Sequence, residues 1–414
     1  MSEMTTGNAN ATSDQTTSVS DYIGSWLQRV RAGDLGSLPI IIGLIIIAII
    51  FGRASDGIFF RERNFVNLLL QMSGTTAIAI GVVFVLLIAE IDLSVAFVGA
   101  VGAVTMVLLL REDATAWPWW MAIGAALLVV LVIGLIHGLI ITKASVPSFV
   151  VTLAGLLAWS GVVLILTTQF STAGTIVIQD EVVKGIANSY LPTTWGWILY
   201  VAVVGGYAVS QFVKQQTLQR QKLASTPLPI LAAQILVLAA LTGTAVWYAN
   251  LDRGVPVAII IVLAFLGLWS FVANRTKFGR YVYAVGGNPE AARRAGINVD
   301  RIRIAVFMIS SFMAGIGGII LASRLGSVST NTGGGNLLLN SIAAAVIGGT
   351  SLFGGTGRVT SALLGALIIA AVENGMGLLG LASGTKFVVN GLVLLAAVLV
   401  DSFSRRSRAS SGLG

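Results

Sequence analysis

Cysteine is missing from the 414 residues, and histidine occurs once, as His137. The first absence excludes disulfides and thiolate metal sites, and a single imidazole cannot build a histidine metal cluster. Charge is scarce too. Asp, Glu, Lys and Arg together make up 10% of the chain, far below the roughly one quarter usual in soluble domains. The phosphate-cradling pattern GxxxxGK(S/T) does not occur, so the chain has no P-loop of its own. No nucleophile stands out beside a base, which leaves a membrane-embedded enzyme without machinery.

Hydrophobic residues instead fill 56% of the sequence, with 48 glycines among them. Long apolar runs near the roughly 20 residues that a bilayer core demands, rich in the glycine that lets helices approach in lipid, predict an all-α polytopic membrane protein. Twelve such segments are read at about 38–52, 66–89, 93–110, 117–142, 147–168, 194–213, 228–249, 255–273, 304–323, 337–353, 359–380 and 385–402. The first is short. The tenth contains Asn340, Ser341 and a Gly348-Gly349-Thr350 break, so it reads as a broken or re-entrant helix that protein or a water-filled cavity must cover. At 89–94, AEIDLS sets Glu90 and Asp92 between two apolar runs with almost no loop, and Asp92 is placed to cap the next helix.

Residues 1–20 are polar and read as a disordered tail, without the pattern of a signal peptide. Asp21 opens a short amphipathic stretch, with Tyr22, Ile23, Trp26, Leu27 and Val30 on one side, expected to lie along the membrane surface. The organisation is thus a tail and interfacial helix at 1–37, a membrane domain at 38–402 and a basic tail at 403–414. With twelve crossings and a cytoplasmic N-terminus, 17 of the 25 basic residues fall on the cytoplasmic side and 8 outside. That bias predicts that both termini are cytoplasmic. The net charge of +8 sits in short loops and reads as a topology signal, not as a nucleic-acid footprint.

One polar island, 274–303, interrupts the apolar pattern with 7 basic residues. Within it Asn288 is a good N-cap, Pro289 suits the first helical position, Glu290 lies in the first turn, and Ala291, Ala292, Arg293 and Arg294 continue to a stop at Gly296. A helix this short is marginal alone, so it is expected to dock on a partner. The island is also longer than a plain connection between neighbouring spans requires.

Six separated motifs then carry a resemblance: AEIDLSV (89–95), VPSFVVTLAG (146–155), RGVP (253–256), FGRYVYAVGGNPEAARRAGINVDR (278–301), SRLG (323–326) and IAAAVIGGTSLFGGTG (342–357). In this order they resemble the inner-membrane permeases of carbohydrate importers driven by ATP-binding cassettes, most closely the xylose type within the ribose, xylose and arabinose group. The resemblance covers about residue 64 to the C-terminus. It implies a type II importer-like fold, a homodimer with the path at or near its interface, a separate ATPase on the cytoplasmic side and a soluble sugar-binding protein outside. ATP and magnesium belong to that ATPase; this chain needs no cofactor or metal. Residues 289–296 match the coupling helix of such permeases. Ala96 departs from the pattern, which usually has Gly after AEIDLSV.

The implied cargo is a small neutral sugar, a pentose such as D-xylose, moved by alternating access in the cell membrane. Gln71, Thr75 and Thr76 offer amide and hydroxyl partners for such a path. Glu373 and Asn374 lie deep in the eleventh segment, where a carboxylate is costly and a functional role is the default reading, against a hydrogen-bonded helix contact. Arg324, Asn331 and Asn336 fall in a glycine-rich external connection suited to a gate or to the binding protein. His137 lies between Gly134 and Gly138, a small-xxx-small pair, and reads as a helix contact. Gly375–Gly380 matches a dinucleotide fingerprint but lacks the preceding strand. The rival reading is an ion-coupled sugar symporter, with Glu373, Glu90 and Asp92 as its coupling groups.

Overall fold

The computed structural model describes residue 24 and residues 38–113, 115–221 and 226–410. Apart from Gly24, the stretch read as an interfacial helix lies outside them. In chain order the helices are α1 (Leu38–Ala54), α2 (Glu62–Leu87), α3 (Val95–Leu110), α4 (Trp119–Lys143), α5 (Ser148–Phe170), α6 (Glu181–Asn188), α7 (Thr193–Arg220), α8 (Leu228–Asn250), α9 (Val257–Arg275), α10 (Lys277–Gly287), α11 (Pro289–Arg294), α12 (Val299–Leu325), α13 (Leu337–Ile347), α14 (Ser361–Leu378) and α15 (Ser383–Ser410). Each of the twelve apolar segments becomes one helix. Among the described residues the only sheet is a ribbon in which β1 (Thr175–Val177) pairs antiparallel with β2 (Ser327–Ser329). The last helix runs on through Ser410, so the basic tail begins in helical form.

Among the described residues eight helices are long and apolar enough to cross a membrane, while α1, α3, α13 and the apolar part of α15 are shorter. At about 1.5 Å per residue, the 11 residues of α13 span roughly 16 Å, about half a bilayer core. The helix stops at the glycine break expected from sequence, where Gly349 takes φ 100°. Protein covers the freed backbone: Gly348 lies directly on the Ser361 backbone, and Gly365 of α14 lies on Ala344. No side chain larger than hydrogen fits either crossing.

α12 is the hub. Glycines let its backbone meet α2 at Gly81, α3 at Gly99 and Gly318, and α4 at Gly134 and Gly138. Such close crossings replace side-chain interdigitation with backbone contact, which suits helices that gain nothing from hydrophobic transfer in lipid. α2 is buried around nearly its whole circumference. By contrast α7 and α8 pack mainly on each other and face outward, with Gly196 the only buried residue of α7.

The chain alternates between two faces. On one, Asn64 meets Asn374, the Tyr248 hydroxyl donates to Phe60 O, and Arg253 stacks its guanidinium 4.7 Å from the Tyr190 ring centre. On the other, α10 lies against the end of α2, and Lys143 pairs with Asp300 at 3.4 Å. Glu90 holds Arg303 at 3.0 Å beside them.

Asp92 does not cap α3 in the expected way. Ser94 occupies the cap position, and Asp92 Oδ1 accepts from its N–H at 3.0 Å and its hydroxyl at 2.7 Å, while Oδ2 accepts from Ser310 of α12 at 2.8 Å. The carboxylate is 3% exposed and fully engaged, the condition under which a buried charge is tolerated.

Candidate functional site

A cavity of about 470 Å³ opens between α2, α12, α13, α14 and α15. Gln71 and Thr75 come from α2, Leu321 and Arg324 from the last turns of α12, Gly335 and Asn336 from the connection leading into α13, Leu337 and Asn340 from α13, Glu373 from α14, and Ser383, Lys386 and Phe387 from α15. Amides, hydroxyls, two cations and one carboxylate thus converge on a space of ligand-pocket size. Glu373 is the organising group. Its Oε1 accepts from Asn340 Nδ2 at 2.6 Å and from Asn390 Nδ2 at 3.2 Å, so one carboxylate oxygen ties three helices together. Hydrogen bonds to a charged acceptor are worth about 1.5–3 kcal/mol each.

Five residues singled out from sequence therefore meet here: Gln71, Thr75, Arg324, Asn336 and Glu373. Three others do not. Thr76 is 0% exposed and donates to Met72 O in its own helix at 2.7 Å; Asn374 turns away to Asn64; Asn331 sits in an exposed turn, its carbonyl accepting from Gly334 N at 2.9 Å. Arg324 belongs to α12, not to the connection after it. Lys386 and Asn390 were missed, and Asn340 was noted only as a polar interruption of the tenth segment. Each is a polar residue inside an apolar segment, the same signal that drew attention to Glu373.

α11 forms as its caps predict. Asn288 Oδ1 accepts from Ala291 N at 2.9 Å, Pro289 takes the first position, and Glu290 pairs with Arg293 at 2.9 Å. Ala295 N bonds to Ala291 O, and Gly296, at φ 83°, turns the chain so that Ile297 N reaches Ala292 O at 3.0 Å. Only Ala292 is buried, so α11 presents Glu290, Arg293 and Arg294 outward. Asn288 also ends α10, a helix that the sequence reading did not separate from the island.

His137 belongs to a buried polar chain. Trp159 Nε1 can only donate, and it donates to His137 Nε2 at 3.2 Å; Nδ1 then carries the ring proton and faces Ser94 Oγ at 3.5 Å, whose hydroxyl donates to Asp92. Gly134 and Gly138 press on α12 backbone, as the small-xxx-small reading expected. The neutral imidazole joins α3, α4, α5 and α12 and lies outside the cavity lining. Among the described residues no cluster of three or more His, Asp or Glu side chains could hold a metal ion.

Residues 64–398 match a family profile described as branched-chain amino acid transport system / permease component. The chain is 39% identical over 382 residues to the xylose transport system permease protein of Escherichia coli, covering 91% of this chain and 94% of that protein. It is 38% identical over 389 residues to the xylose transport system permease protein of Haemophilus influenzae, covering 89% and 98%. A ribose import permease protein of Haemophilus influenzae is 32% identical over 361 residues, covering 87% and 91%. No solved structure matches the chain.

Proposed function

The chain belongs to this permease family, and on that premise we propose that it is the membrane subunit of an ATP-driven importer carrying a pentose such as xylose. It is a transporter component and not an enzyme. The observation that carries the sugar reading is the similarity to a xylose permease across 91% of the chain. The cavity supports it chemically, since a neutral polyol needs scattered donors and acceptors of the kind Gln71, Thr75, Asn336 and Asn340 supply. The relatives give the ion-coupled symporter no support.

Three partners follow from the reading. A separate ATPase hydrolyses magnesium-ATP against α11, a soluble binding protein delivers sugar at the cavity face, and a second copy of the permease completes the path. The basic bias supports a cytoplasmic position for α11 and both termini. Arg324 and Asn336, at the rim of the cavity, serve as gate or binding-protein contact.

Reconstitution tests the whole proposal. Proteoliposomes containing the permease, its ATPase and its binding protein should take up labelled xylose only with internal or external ATP available to the ATPase, and ionophores should leave uptake unchanged. Uptake by the permease alone, driven by a proton or sodium gradient, would replace the proposal with the symporter.

A further inference from the structure

We propose that a backbone joint formed by Leu87, Gly286 and Gly355, latched by Tyr283, carries the ATPase stroke from α11 to both walls of the cavity; this rests on reading α11 as the ATPase contact.

The joint begins with a helix end. Leu87 O, in the last turn of α2, would ordinarily accept from Ile91 N, but that N–H is directed to Ser148 Oγ at 3.3 Å. Gly355 N takes the freed carbonyl at 3.0 Å. Gly286, in the last turn of α10, lies so close to the same carbonyl that an added Cβ would overlap Leu87 O. Its own carbonyl faces Gly354, at φ 81°, which in turn rests on Ala89. One turn back on α10, the Tyr283 hydroxyl donates to Gly357 O at 2.9 Å. Three backbones therefore touch with no side-chain rotamer between them to absorb a displacement.

Input arrives without slack. Asn288 is at once the C-cap of α10 and the N-cap of α11, so α11 cannot move without carrying Gly286. Output leaves along two arms. From Leu87, α2 runs twelve residues back to Thr75, about 18 Å at 1.5 Å per residue. From Gly355 the loop feeds α14, where Ser361 to Glu373 is again twelve residues, about 18 Å. The backbone crossings at Gly348 and Gly365 bind α13 to α14, so Asn340 travels with Glu373. Both arms end at residues that line the cavity. A shift of α10 thus changes the spacing between Gln71 and Thr75 on one side and Asn340 and Glu373 on the other.

Two variants test the joint in the complete importer with ATPase and binding protein: Tyr283→Phe, which removes the latch, and Gly355→Ala, which puts a methyl at a φ of 72° and 3.1 Å from Gly287 Cα. The ATPase should copurify normally and hydrolyse ATP within about twofold of wild type, because α11 is untouched. Xylose uptake should fall, raising the ATP consumed per sugar at least twofold in Tyr283→Phe and further in Gly355→Ala. Spin labels on Gln71→Cys and Lys386→Cys should change separation on ATP binding in the parent and change it less in both variants. An unchanged ATP-to-sugar ratio with an unchanged label response overturns the joint. Uptake and hydrolysis falling in proportion overturn it as well, since that is the signature of lost protein. Failure of the ATPase-contact reading shows elsewhere, in a Gly296→Val permease that still binds and stimulates its ATPase.

Discussion

Asn64 and Asn374 exchange two amide hydrogen bonds, at 2.8 and 2.9 Å, across 310 positions of sequence. Each amide has what the other lacks, both are buried, and Asn64 spends its remaining N–H on Phe59 O at 2.9 Å. The pair fixes the first turn of α2 to the last turns of α14, directly behind Glu373. Replacing either by Ala leaves one buried amide unpaired and should cost about 1–3 kcal/mol. The double Ala variant should lose less than the sum of the singles, because the orphaned group goes too. Thermal unfolding in detergent measures all three, and strict additivity would show that the bonds are not made.

Glu373 separates polarity from charge. Glu373→Gln keeps an oxygen for Asn340 and Asn390 to donate to, so transport should stay within about threefold of the parent. Glu373→Leu leaves two buried amides facing a methyl group and should reduce transport at least tenfold, about 1.4 kcal/mol or more. Initial uptake rates in proteoliposomes decide it. Complete loss in both variants would point to a proton-coupling carboxylate, and full activity in both would reduce the residue to packing.

At Gly296 an added Cβ meets nothing within 4 Å, so the penalty of a substitution starts from backbone conformation and not from a Cβ clash. A β-branched residue at φ 83° is strained by roughly 1–2 kcal/mol, and a six-residue helix has little stability of its own to set against that. Gly296→Val should accordingly insert at normal membrane abundance while losing ATPase copurification. Gly296→Asn, which tolerates the left-handed region better, should retain part of it.

Tyr283 gives a pH signature. Burial pushes its phenol above the usual value of about 10, an effect partly offset by Arg358. A raised acid contributes stability that is fully present below the unfolded value near 10 and is lost as pH rises through the folded value. Phenolate difference absorbance should therefore contain one late-ionising tyrosine that Tyr283→Phe abolishes, with thermal stability falling at the same alkaline pH in the parent. A late-ionising component that survives the substitution would mean that Tyr283 is not the buried phenol.

Periodicity and caps carried much of the architecture into view. The twelve runs, the break at Gly348 and the stop at Gly296 are all local signals, readable because glycine and asparagine act on their own backbone. Phase was readable in part but was not used. On α2, Asn67, Gln71 and Thr75 recur every four residues along one face, a stripe that separates Thr75, which lines the cavity, from its neighbour Thr76, which turns back to Met72 O. Glu373 and Asn374 divide in the same way, since adjacent residues on a helix point about 100° apart. The helix α10 was hidden inside a charged stretch, although Thr276 as N-cap and the spacing of Phe278, Val282 and Val285 marked it; Thr276 Oγ1 accepts from Gly279 N at 3.2 Å.

The loose seating of α7 and α8 bears on how the molecule comes apart. Each is sheathed mainly by the other, and α8 touches the bundle chiefly at its last turn through Tyr248 and Ala249, so their removal breaks few interior contacts. Under mechanical extraction from a bilayer the two should leave as a single hairpin, in one force peak of their own, while the α2, α12 and α14 scaffold stays seated. The same independence makes the connection between them, near residues 221–227, a natural place to splice in a reporter domain without disturbing the cavity or the joint.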